Sequence, residues 1–361
     1  MRITFVGDIA LSRANYLSFK YDDRVKELFN NSDYVIGNLE CPITRCTNKK
    51  PLQAINLSAD KESLRLIDGV DIVSLANNHI QDYGNEGIFD TIDAISERKI
   101  RYFGIGRNEQ EALAPFIFGT KSLKIAIIGA TRYANAKLSE WGTSSDTSPL
   151  LFSNIQKLKK EGYFVIVYFH WGYEYVRIPS PRERRIAHKT IDCGADFVVG
   201  SHPHVFQGIE QYNGKTIVYS LGNFIFHSSL FYGMAPDSND DRLFNSFIVS
   251  IDIKGNMEYS YNIFDYSISD NGISLCSDDS HHKFIEELTT ISNDLKGKNY
   301  LANYYKQSYA ISRQNVKIRE EYQKASSLTP FQRLSLYRNA NFQDACNRLA
   351  GFFISIYRKH K

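Results

Sequence analysis

Seven short, mostly hydrophobic runs recur along the first 223 residues, and each ends in polar side chains. The runs are rich in Val, Ile and Phe and show no regular alternation with polar residues. This pattern is typical of strands that are buried on both faces. The predicted strands are Ile3–Asp8, Tyr34–Glu40, Ile72–His79, Lys124–Ala130, Phe164–His170, Phe197–His204 and Ile217–Asn223.

Helical patterns lie between several of these runs. In Gly87–Arg98, for example, Ile88, Ile92 and Ile95 fall on one face at helical spacing. Strands that alternate with helices indicate an α/β fold. The other predicted helices are Asp60–Ile67, Leu150–Lys160 and Pro181–Cys193.

The pattern changes in the last third of the chain. Ser246–Ile253 and Tyr259–Tyr266 alternate hydrophobic and polar residues on either side of Gly255-Asn256, which predicts a β-hairpin packed on a core. From residue 270 onward the chain has a helical pattern and carries 14 basic and 9 acidic residues, whereas residues 1–269 carry 29 and 31. We therefore predict one domain over residues 1–269 and a basic helical region over residues 270–361.

Composition narrows the class of protein. The 361 residues are 43% hydrophobic and 23% charged, which excludes a disordered, collagen-like or coiled-coil chain. A net charge of +3 argues against a general nucleic-acid binder. Five cysteines without a second close pair predict reduced thiols, and the chain begins with a strand-like run rather than a signal peptide. With no apolar run of about 18 residues, we expect a cytoplasmic protein.

The candidate chemistry lies at the ends of the predicted strands. Ligands gather at the carboxyl ends of strands in α/β sheets, so residues far apart in sequence are expected to meet there. The mixture of carboxylates, carboxamides and imidazoles suits Mn, Zn or Fe better than Ca or Mg. It offers too many ligands for one tetrahedral ion, so we predict two divalent ions that share a carboxylate. The strand-end residues are Asp8, Asn38, Glu40, Asn77, Asn78, His79, His170, His202, His204 and Asn223.

Each of these signals has a structural alternative. Gly7-Asp8 and Gly37–Glu40 also fit ordinary turns, Ala76–His79 fits a hydrogen-bonded cap, and His170 fits a satisfied core residue. The strongest local signal is Ser201-His202-Pro203-His204, because two imidazoles two positions apart after a buried strand have little structural purpose. All of the signals fall at the same topological place, which favours a common site.

A set of ordered motifs resembles the bacterial capsule synthesis protein CapA family, within the calcineurin-like metallophosphatase superfamily. The resemblance covers about the first 266 residues and leaves out the C-terminal region. It is carried by Gly7-Asp8, Gly37–Pro42, Leu75–Gly84, Gly104–Asn108, His170–Tyr175, Gly194–Val205 and Tyr219–Phe224.

The resemblance implies a four-layer α-β-β-α sandwich with a C-terminal helical extension and a dinuclear metal centre. Asp8, Glu40 and His204 would hold one ion, and Glu40, Asn78, His170 and His202 the other. His79, together with Asn78, would act in catalysis, with His79 as general acid or as partner of a developing negative charge. The family resemblance also exposes a departure, because Ala10 stands where the superfamily usually has a histidine ligand.

The predicted function is a metal-dependent hydrolase of the phosphoesterase type, acting in capsule, exopolysaccharide or poly-γ-glutamate biosynthesis. A water shared by two ions would lose its proton near neutral pH and attack phosphorus or a carbonyl carbon. Two alternatives stay open, namely a metal-dependent γ-glutamyl amide hydrolase and a non-catalytic assembly protein that keeps the fold.

The expected partner is an anionic small molecule or polymer, not a nucleic acid. Arg132, Arg177 and Arg182 are candidates to bind its charge, although solvated surface charge is the alternative. The basic C-terminal region predicts either contact with a membrane surface or packing on the sandwich or a partner. We assign substrate contact to Asn38, Asn77, Trp171, Glu174 and Asn223.

Overall fold

The computed structural model describes residues 1–11, 19–49, 56–134, 141–226, 241–269 and 271–325, with side chains described as far as residue 314. Within these ranges the strands are β1 (Arg2–Ala10), β2 (Lys20–Tyr21), β3 (Tyr34–Leu39), β4 (Ile72–Ser74), β5 (Arg101–Phe103), β6 (Phe116–Gly119), β7 (Lys124–Thr131), β8 (Phe164–His170), β9 (Phe197–Ser201), β10 (Ile209–Tyr212), β11 (Lys215–Val218), β12 (Asn223–Phe226), β13 (Asn245–Ile253), β14 (Tyr259–Ser269) and β15 (Gly272–Leu275). The α-helices are α1 (Asp23–Asn30), α2 (Gly84–Glu97), α3 (Glu109–Ala112), α4 (Pro149–Lys160), α5 (Pro181–Asp192), α6 (Asp278–Asp294) and α7 (Tyr300–Ala325), and Lys61–Ile67 and Asp241–Leu243 form 3-10 helices.

The strands form two sheets. The first has the order β2-β15-β14-β13-β1-β3-β4-β5, and β12 pairs with the far end of β1. The second has the order β10-β11-β9-β8-β7-β6. Strands β1, β3, β4 and β5 run parallel to one another, as do β7, β8, β9 and β11 in the other sheet. These two parallel blocks carry most of the predicted strands, which confirms the α/β class.

The hydrophobic runs are continuous because successive residues face two different cores. In β8, Phe164, Ile166 and Tyr168 pack between the sheets, while Val165 and Val167 belong to the core on the outer face. Side chains of a strand point alternately to its two faces, so a strand covered on both sides is hydrophobic throughout. The inter-sheet core includes a stacked pair, Phe5 and Phe197, with ring centroids 5.8 Å apart.

Helices cover both sheets and complete the four-layer sandwich. In α2, Ile88 and Ile95 pack in the same outer core as Val35 and Val73 of the first sheet. Helices α4 and α5 pack on β7, β8 and β9 of the second sheet. Ser180 caps α5 through a reciprocal capping box with Glu183, and a proline occupies its first turn, so this helix begins where its sequence predicts.

Several predicted strands end at other residues than expected, and the predicted strand Phe197–His204, for example, ends at Ser201. Strand β4 stops at Ser74 rather than at His79, because Asn77 Oδ1 accepts hydrogen bonds from the backbone N–H groups of His79 (3.0 Å) and Ile80 (2.9 Å). This side-chain turn takes the chain away from the sheet. The predicted strand Ile217–Asn223 is in fact divided between the two sheets.

The crossing between the sheets occurs within that divided segment. Val218 pairs with Val199 in the second sheet, whereas Asn223 pairs with Asp8 in the first. Gly222 lies between them with φ of +77°, a left-handed conformation that favours glycine. The sequence could not indicate the division, because both halves are equally hydrophobic.

Described residues beyond the predicted domain boundary near residue 270 pack on the part of the chain that precedes it. Strand β15 follows it, yet lies between β14 and β2 in the first sheet. Phe284 of α6 packs on Phe206, with ring centroids 4.8 Å apart, and Tyr300 donates a hydrogen bond to the carbonyl of Pro179 (2.9 Å). The region is helical over α6 and α7, and residues 326–361 of the predicted basic helical region lie outside the described residues.

Helix α7 is the longest helix within the described ranges, with 26 residues. Neither it nor another helix of the described ranges combines the length and hydrophobicity that crossing a bilayer requires.

Candidate metal centre

Polar side chains from both sheets meet at one edge of the sandwich, beyond the ends of β3, β4, β8 and β9. Asp8 lies beside Asn38 of β3 and Asn223 of β12, and the pairing register shifts on both sides of it. Such irregularities re-aim side chains near functional sites. Gly7 is needed here because an added Cβ would lie 1.9 Å from the carbonyl oxygen of Gly222.

Two fully buried carboxylates form the middle of the site. Both oxygens of Asp8 are engaged, since Asn38 Nδ2 donates to Oδ1 (2.8 Å) and the backbone N–H of His202 donates to Oδ2 (2.9 Å). Neither oxygen of Glu40 has a hydrogen-bond partner among the described residues, although both are buried. An ionised carboxylate in such a place requires a cation.

The electrostatics of Glu40 lead to the same requirement. Burial, followed by the negative charges of Asp8, Glu174 and Asp82, raises the pKa of Glu40 well above its usual range. Burial also raises the pKa of Asp8, against the opposing effect of His204. A divalent cation among these carboxylates would reverse this penalty.

Two neutral imidazoles face Glu40 from the second sheet. His170 Nε2 lies 3.7 Å from Glu40 Oε1, 3.1 Å from His202 Nδ1 and 2.7 Å from Asn78 Oδ1. Burial, followed by the charges of neighbouring histidines, lowers the pKa of both His170 and His202 well below the usual value. The neutral form that this favours is the form that binds a metal.

His204 completes the set with a defined proton position. Its Nδ1 lies 3.0 Å from Asn223 Oδ1, and an amide oxygen can only accept, so Nδ1 carries the proton. The lone pair is then on Nε2, which lies 3.7 Å from Glu40 Oε1. A hydrogen bond on the remote ring nitrogen is the usual way in which proteins orient a metal-binding histidine.

The backbone around these histidines is strained. His202 has φ of +97° and His204 has φ of +59°, a left-handed region that residues other than glycine seldom adopt. Such conformations cluster at functional sites, where the surrounding structure enforces them.

The donor atoms form two groups that share Glu40. The ligand atoms of Asp8, Glu40 and His204 lie within 4.8 Å of one another, and so do those of Glu40, His170 and His202. Asn78 is in hydrogen-bond contact with His170 beside the second group. The residues are therefore compatible with metal binding, and two divalent ions with a shared carboxylate are the arrangement that the resemblance implies.

His79 lies beside this cluster and is held by a residue that sequence reasoning missed. Its Nδ1 lies 2.8 Å from Asp82 Oδ2, which also accepts the backbone N–H of Leu57 (2.7 Å). Asp82 is fully buried, whereas the His79 side chain keeps 15% of its surface exposed. The spacing of Asp82 three residues after His79 is the only sequence signal for this pair.

Tyr133 is a second residue that sequence reasoning missed. Its hydroxyl lies 2.6 Å from His202 Nε2 and donates to the carbonyl of Gly172 (3.3 Å). The loop after β7 supplies it, and only the three-dimensional structure brings that loop to the histidines. Ser201 was also missed, and its hydroxyl lies 3.1 Å from His170 Nδ1.

Four of the residues predicted to contact the substrate are fully buried, and their role in substrate contact stays a prediction. Asn38 and Asn223 hydrogen bond to Asp8 and His204, and Asn77 donates to the carbonyl of Leu39 (2.8 Å). These amide side chains therefore hold Asp8, His204 and the end of β3 in position from the buried side of the site. The fourth, Trp171, is a core residue.

The surroundings of Trp171 explain its place in the core. Its indole N–H donates to the carbonyl of Tyr219 (3.0 Å), and its ring stacks on Phe169 at 4.1 Å. Glu174, by contrast, is half-buried, and its carboxylate lies within 4.8 Å of ring nitrogens of His202 and His204.

The three arginine candidates have different surroundings. Arg182 forms two hydrogen bonds of 2.7 Å with Asp146, and Arg177 is buried over the ring of Phe206 and paired with Glu287. Both are therefore structural rather than available at the mouth of the site. The charge of Arg132 contributes to the lowered pKa of His202, which places it near the metal ligands, and its side chain lies 3.6 Å from Glu183.

Two curated proteins are similar in sequence to this chain. The chain is 37% identical over 245 residues to the capsule biosynthesis protein CapA of Bacillus anthracis, covering 63% of this chain and 60% of that protein. It is 35% identical over 242 residues to the PGA biosynthesis protein CapA of Bacillus subtilis, covering 62% of each. The matched part thus spans about 60% of the length of these curated relatives.

Among solved structures, one described as a novel phosphatase of Mycoplasma pneumoniae aligns over 73% of this chain and 92% of its own, at 14% identity and a TM-score of 0.41. The fold assignment rests on the sheets and layers described above. The family described as bacterial capsule synthesis protein PGA_cap matches residues 2–228, from β1 to just beyond β12 and therefore across every residue of the two donor groups. This chain belongs to that family of bacterial capsule synthesis proteins.

Proposed function

We propose that this chain is a metal-dependent hydrolase of the phosphoesterase type that acts on an anionic substrate in capsule or poly-γ-glutamate biosynthesis. The observation that carries the proposal is Glu40, whose two buried oxygens lack partners among the described residues and lie between His170 and His204. Two relatives are named for capsule and PGA biosynthesis, which supports the biological setting.

The two donor groups define which residues would hold the ions. Asp8, Glu40 and His204 would bind one, and Glu40, Asn78, His170 and His202 the other. Mn, Zn or Fe would suit this mixture of imidazole and oxygen donors. When bound, two such ions would polarise the scissile group and acidify a water molecule.

His79 is suited to deliver a proton to the leaving oxygen. A carboxylate can only accept, so the hydrogen bond to Asp82 places a proton on His79 Nδ1 and leaves Nε2 for the substrate. The charge of Asp82 also stabilises the imidazolium from which Nε2 donates. Arg132, near His202, would help to balance the negative charge of the substrate.

The two alternatives use the same residues differently. An amide hydrolase would act on a carbonyl carbon, with His79 protonating the leaving nitrogen. A non-catalytic assembly protein would keep the site for binding alone, and the absence of a donor side chain at Ala10 favours that alternative. A screen with phosphomonoesters, phosphodiesters and γ-glutamyl amides, with Mn and Zn supplied, separates the three.

The deciding experiment compares the purified protein with Asp8→Asn and His204→Ala, using His282→Ala on the exposed face of α6 as the matched control. We expect hydrolysis that depends on added metal and falls at least about 100-fold in both site variants but not in the control. Absence of bound metal after incubation with Mn or Zn, together with unchanged activity of His202→Ala, would contradict the proposal. The cytoplasmic location and the membrane contact of the C-terminal region stay predictions.

A further inference from the structure

The two donor groups are unequal in size. One ion has four protein donors in Glu40, Asn78, His170 and His202, whereas the other has only Asp8, Glu40 and His204. Transition-metal ions in proteins take four or more ligands. Water can supply one of these ligands in catalytic sites, so the smaller group has room for a further donor, either a water molecule or another side chain.

Glu174 is the nearby side chain with the required chemistry. One of its carboxylate oxygens lies within 4.8 Å of ligand nitrogens of both His202 and His204. Ligands about 2.1 Å from one ion lie up to about 4 Å apart, so Glu174 would have to move toward His204 to share an ion with it. Glu174 makes no hydrogen bond or ion pair with the part of the chain that the structure describes, which leaves its oxygens available for an ion.

The backbone fixes the loop of Glu174 against the loop of the two histidines. The N–H of Trp171 donates to the carbonyl of Ser201 (3.1 Å), and the N–H of Tyr175 donates to the carbonyl of Pro203 (2.8 Å). These two bonds bracket Glu174 on either side. Gly172 (φ +99°) and Tyr175 (φ +66°) adopt left-handed conformations that shape this loop.

Charge makes the placement of Glu174 unfavourable without a cation. Its carboxylate is one of the negative charges around the buried Glu40, together with Asp8 and Asp82. A fourth carboxylate beside three others opposes folding unless positive charge compensates for it. Glu174 is also more exposed than Asp8, Glu40 and His204, so it lies toward solvent from the buried donors.

We propose that the Glu174 carboxylate is the fourth protein ligand of the ion between Asp8, Glu40 and His204, and that it closes this group from the solvent side. The inference rests on the proposed metal centre and adds a ligand that neither the strand-end pattern nor the resemblance supplied. Substrate contact, the role predicted from the sequence, would then be secondary.

The test measures metal binding rather than activity. Full-length protein, Glu174→Gln and the exposed control Glu258→Gln are titrated with Mn(II), and bound ions are counted by elemental analysis and followed by electron paramagnetic resonance. We expect close to two ions per chain with a spin-coupled signal in the wild type and the control. Glu174→Gln should keep one tight ion, bind the second at least about tenfold more weakly, and show an uncoupled signal at limiting Mn.

The outcomes separate this inference from the proposed function. Two ions bound with unchanged affinity in Glu174→Gln would overturn the role of Glu174 and leave the metal centre intact. No Mn binding by the wild type would overturn both. Glu174→Asp, which keeps a carboxylate on a shorter side chain, should fall between wild type and Glu174→Gln, and it serves as the readout if Glu174→Gln does not fold.

Discussion

Two buried carboxylates at opposite edges of the sandwich have contrasting surroundings. Asp196 precedes β9 and accepts hydrogen bonds from Lys159 and Lys215, each at 2.7 Å, and from the backbone N–H of Val165 at 3.0 Å. Glu40 follows β3 and has no hydrogen-bond partner among the described residues. Both side chains are fully buried.

The contrast separates a carboxylate whose charge is balanced by its neighbours from one whose charge the described residues do not balance. A buried charge with cations and N–H donors around it is complete within the chain. A buried carboxylate surrounded by other carboxylates destabilises the folded protein when no cation is bound. Its burial becomes favourable only when a cation is added. Burial is the same at the two edges, so the difference lies in the partners.

The largest expected effect comes from neutralising Glu40. Glu40→Gln removes the shared ligand of both donor groups, so metal affinity should fall at least about 100-fold. The metal-free variant should be more stable than metal-free wild type at pH 8, by about 1–3 kcal/mol, because it no longer buries an ionisable group without a partner. Denaturant unfolding with and without Mn measures both changes. Equal stability of the two metal-free proteins at pH 8 would contradict the contrast.

Asp196→Asn should have the opposite outcome. It leaves two lysines without their carboxylate, so unfolding should require about 1–3 kcal/mol less. Mn binding should not change, because Asp196 is at the far end of β9. The same denaturant and titration assays apply, with Glu258→Gln as a surface control. A loss of metal affinity in Asp196→Asn would show that the two edges are not independent.

The pH dependence of metal binding is the third prediction. Because the pKa of Glu40 is raised, its proton competes with the ion, and binding should weaken as pH falls below that pKa, by up to about tenfold per pH unit for one proton. His170 and His202 have lowered pKa values and stay neutral between pH 6 and 8, so they add no competition there. Titrations at several pH values measure the slope. Binding that does not weaken at any pH down to the acid unfolding of the protein would contradict the prediction.

Asp82→Asn should have the smallest effect at the Glu40 edge. Asp82 is absent from both donor groups, so the number of bound ions should stay the same. The rate constant kcat should fall about tenfold, since His79 loses the partner that fixes its proton and orientation. Steady-state kinetics at saturating Mn, paired with metal content, test this. A loss of bound metal in this variant would instead assign Asp82 to the metal shell.

The sequence indicated the parallel strands and the residues that follow them. Phe164–His170 matches β8 in both bounds, because a strand covered on both faces leaves an uninterrupted hydrophobic run. Because the carboxyl ends of such strands lie at one edge, the sequence predicts that Asp8, Glu40, His170 and His202 lie close together. The structure brings the same residues together.

Other features depend on contacts that no local pattern contains. Strand β15 has four residues and is defined by pairing with β14 and β2, so residue 270 looked like a boundary. Asn38 and Asn223 are buried by the docking of the two sheets. The sequence does not show this burial, so it predicted substrate contact for both residues. Tyr133 reaches His202 from the loop after β7, and the sequence spacing of the two residues does not indicate that contact.

The crossing of the chain between Val218 and Asn223 has a consequence for the kinetics of folding. Asp8 and Glu40 come from the first sheet and His170 and His202 from the second, so neither sheet alone holds a complete donor group. High metal affinity would therefore arise only when the sheets dock, and contacts so distant in sequence are slow to form. Ions that bind after the transition state slow unfolding and leave the folding rate unchanged. The metal would therefore stabilise the folded sandwich kinetically without accelerating its formation.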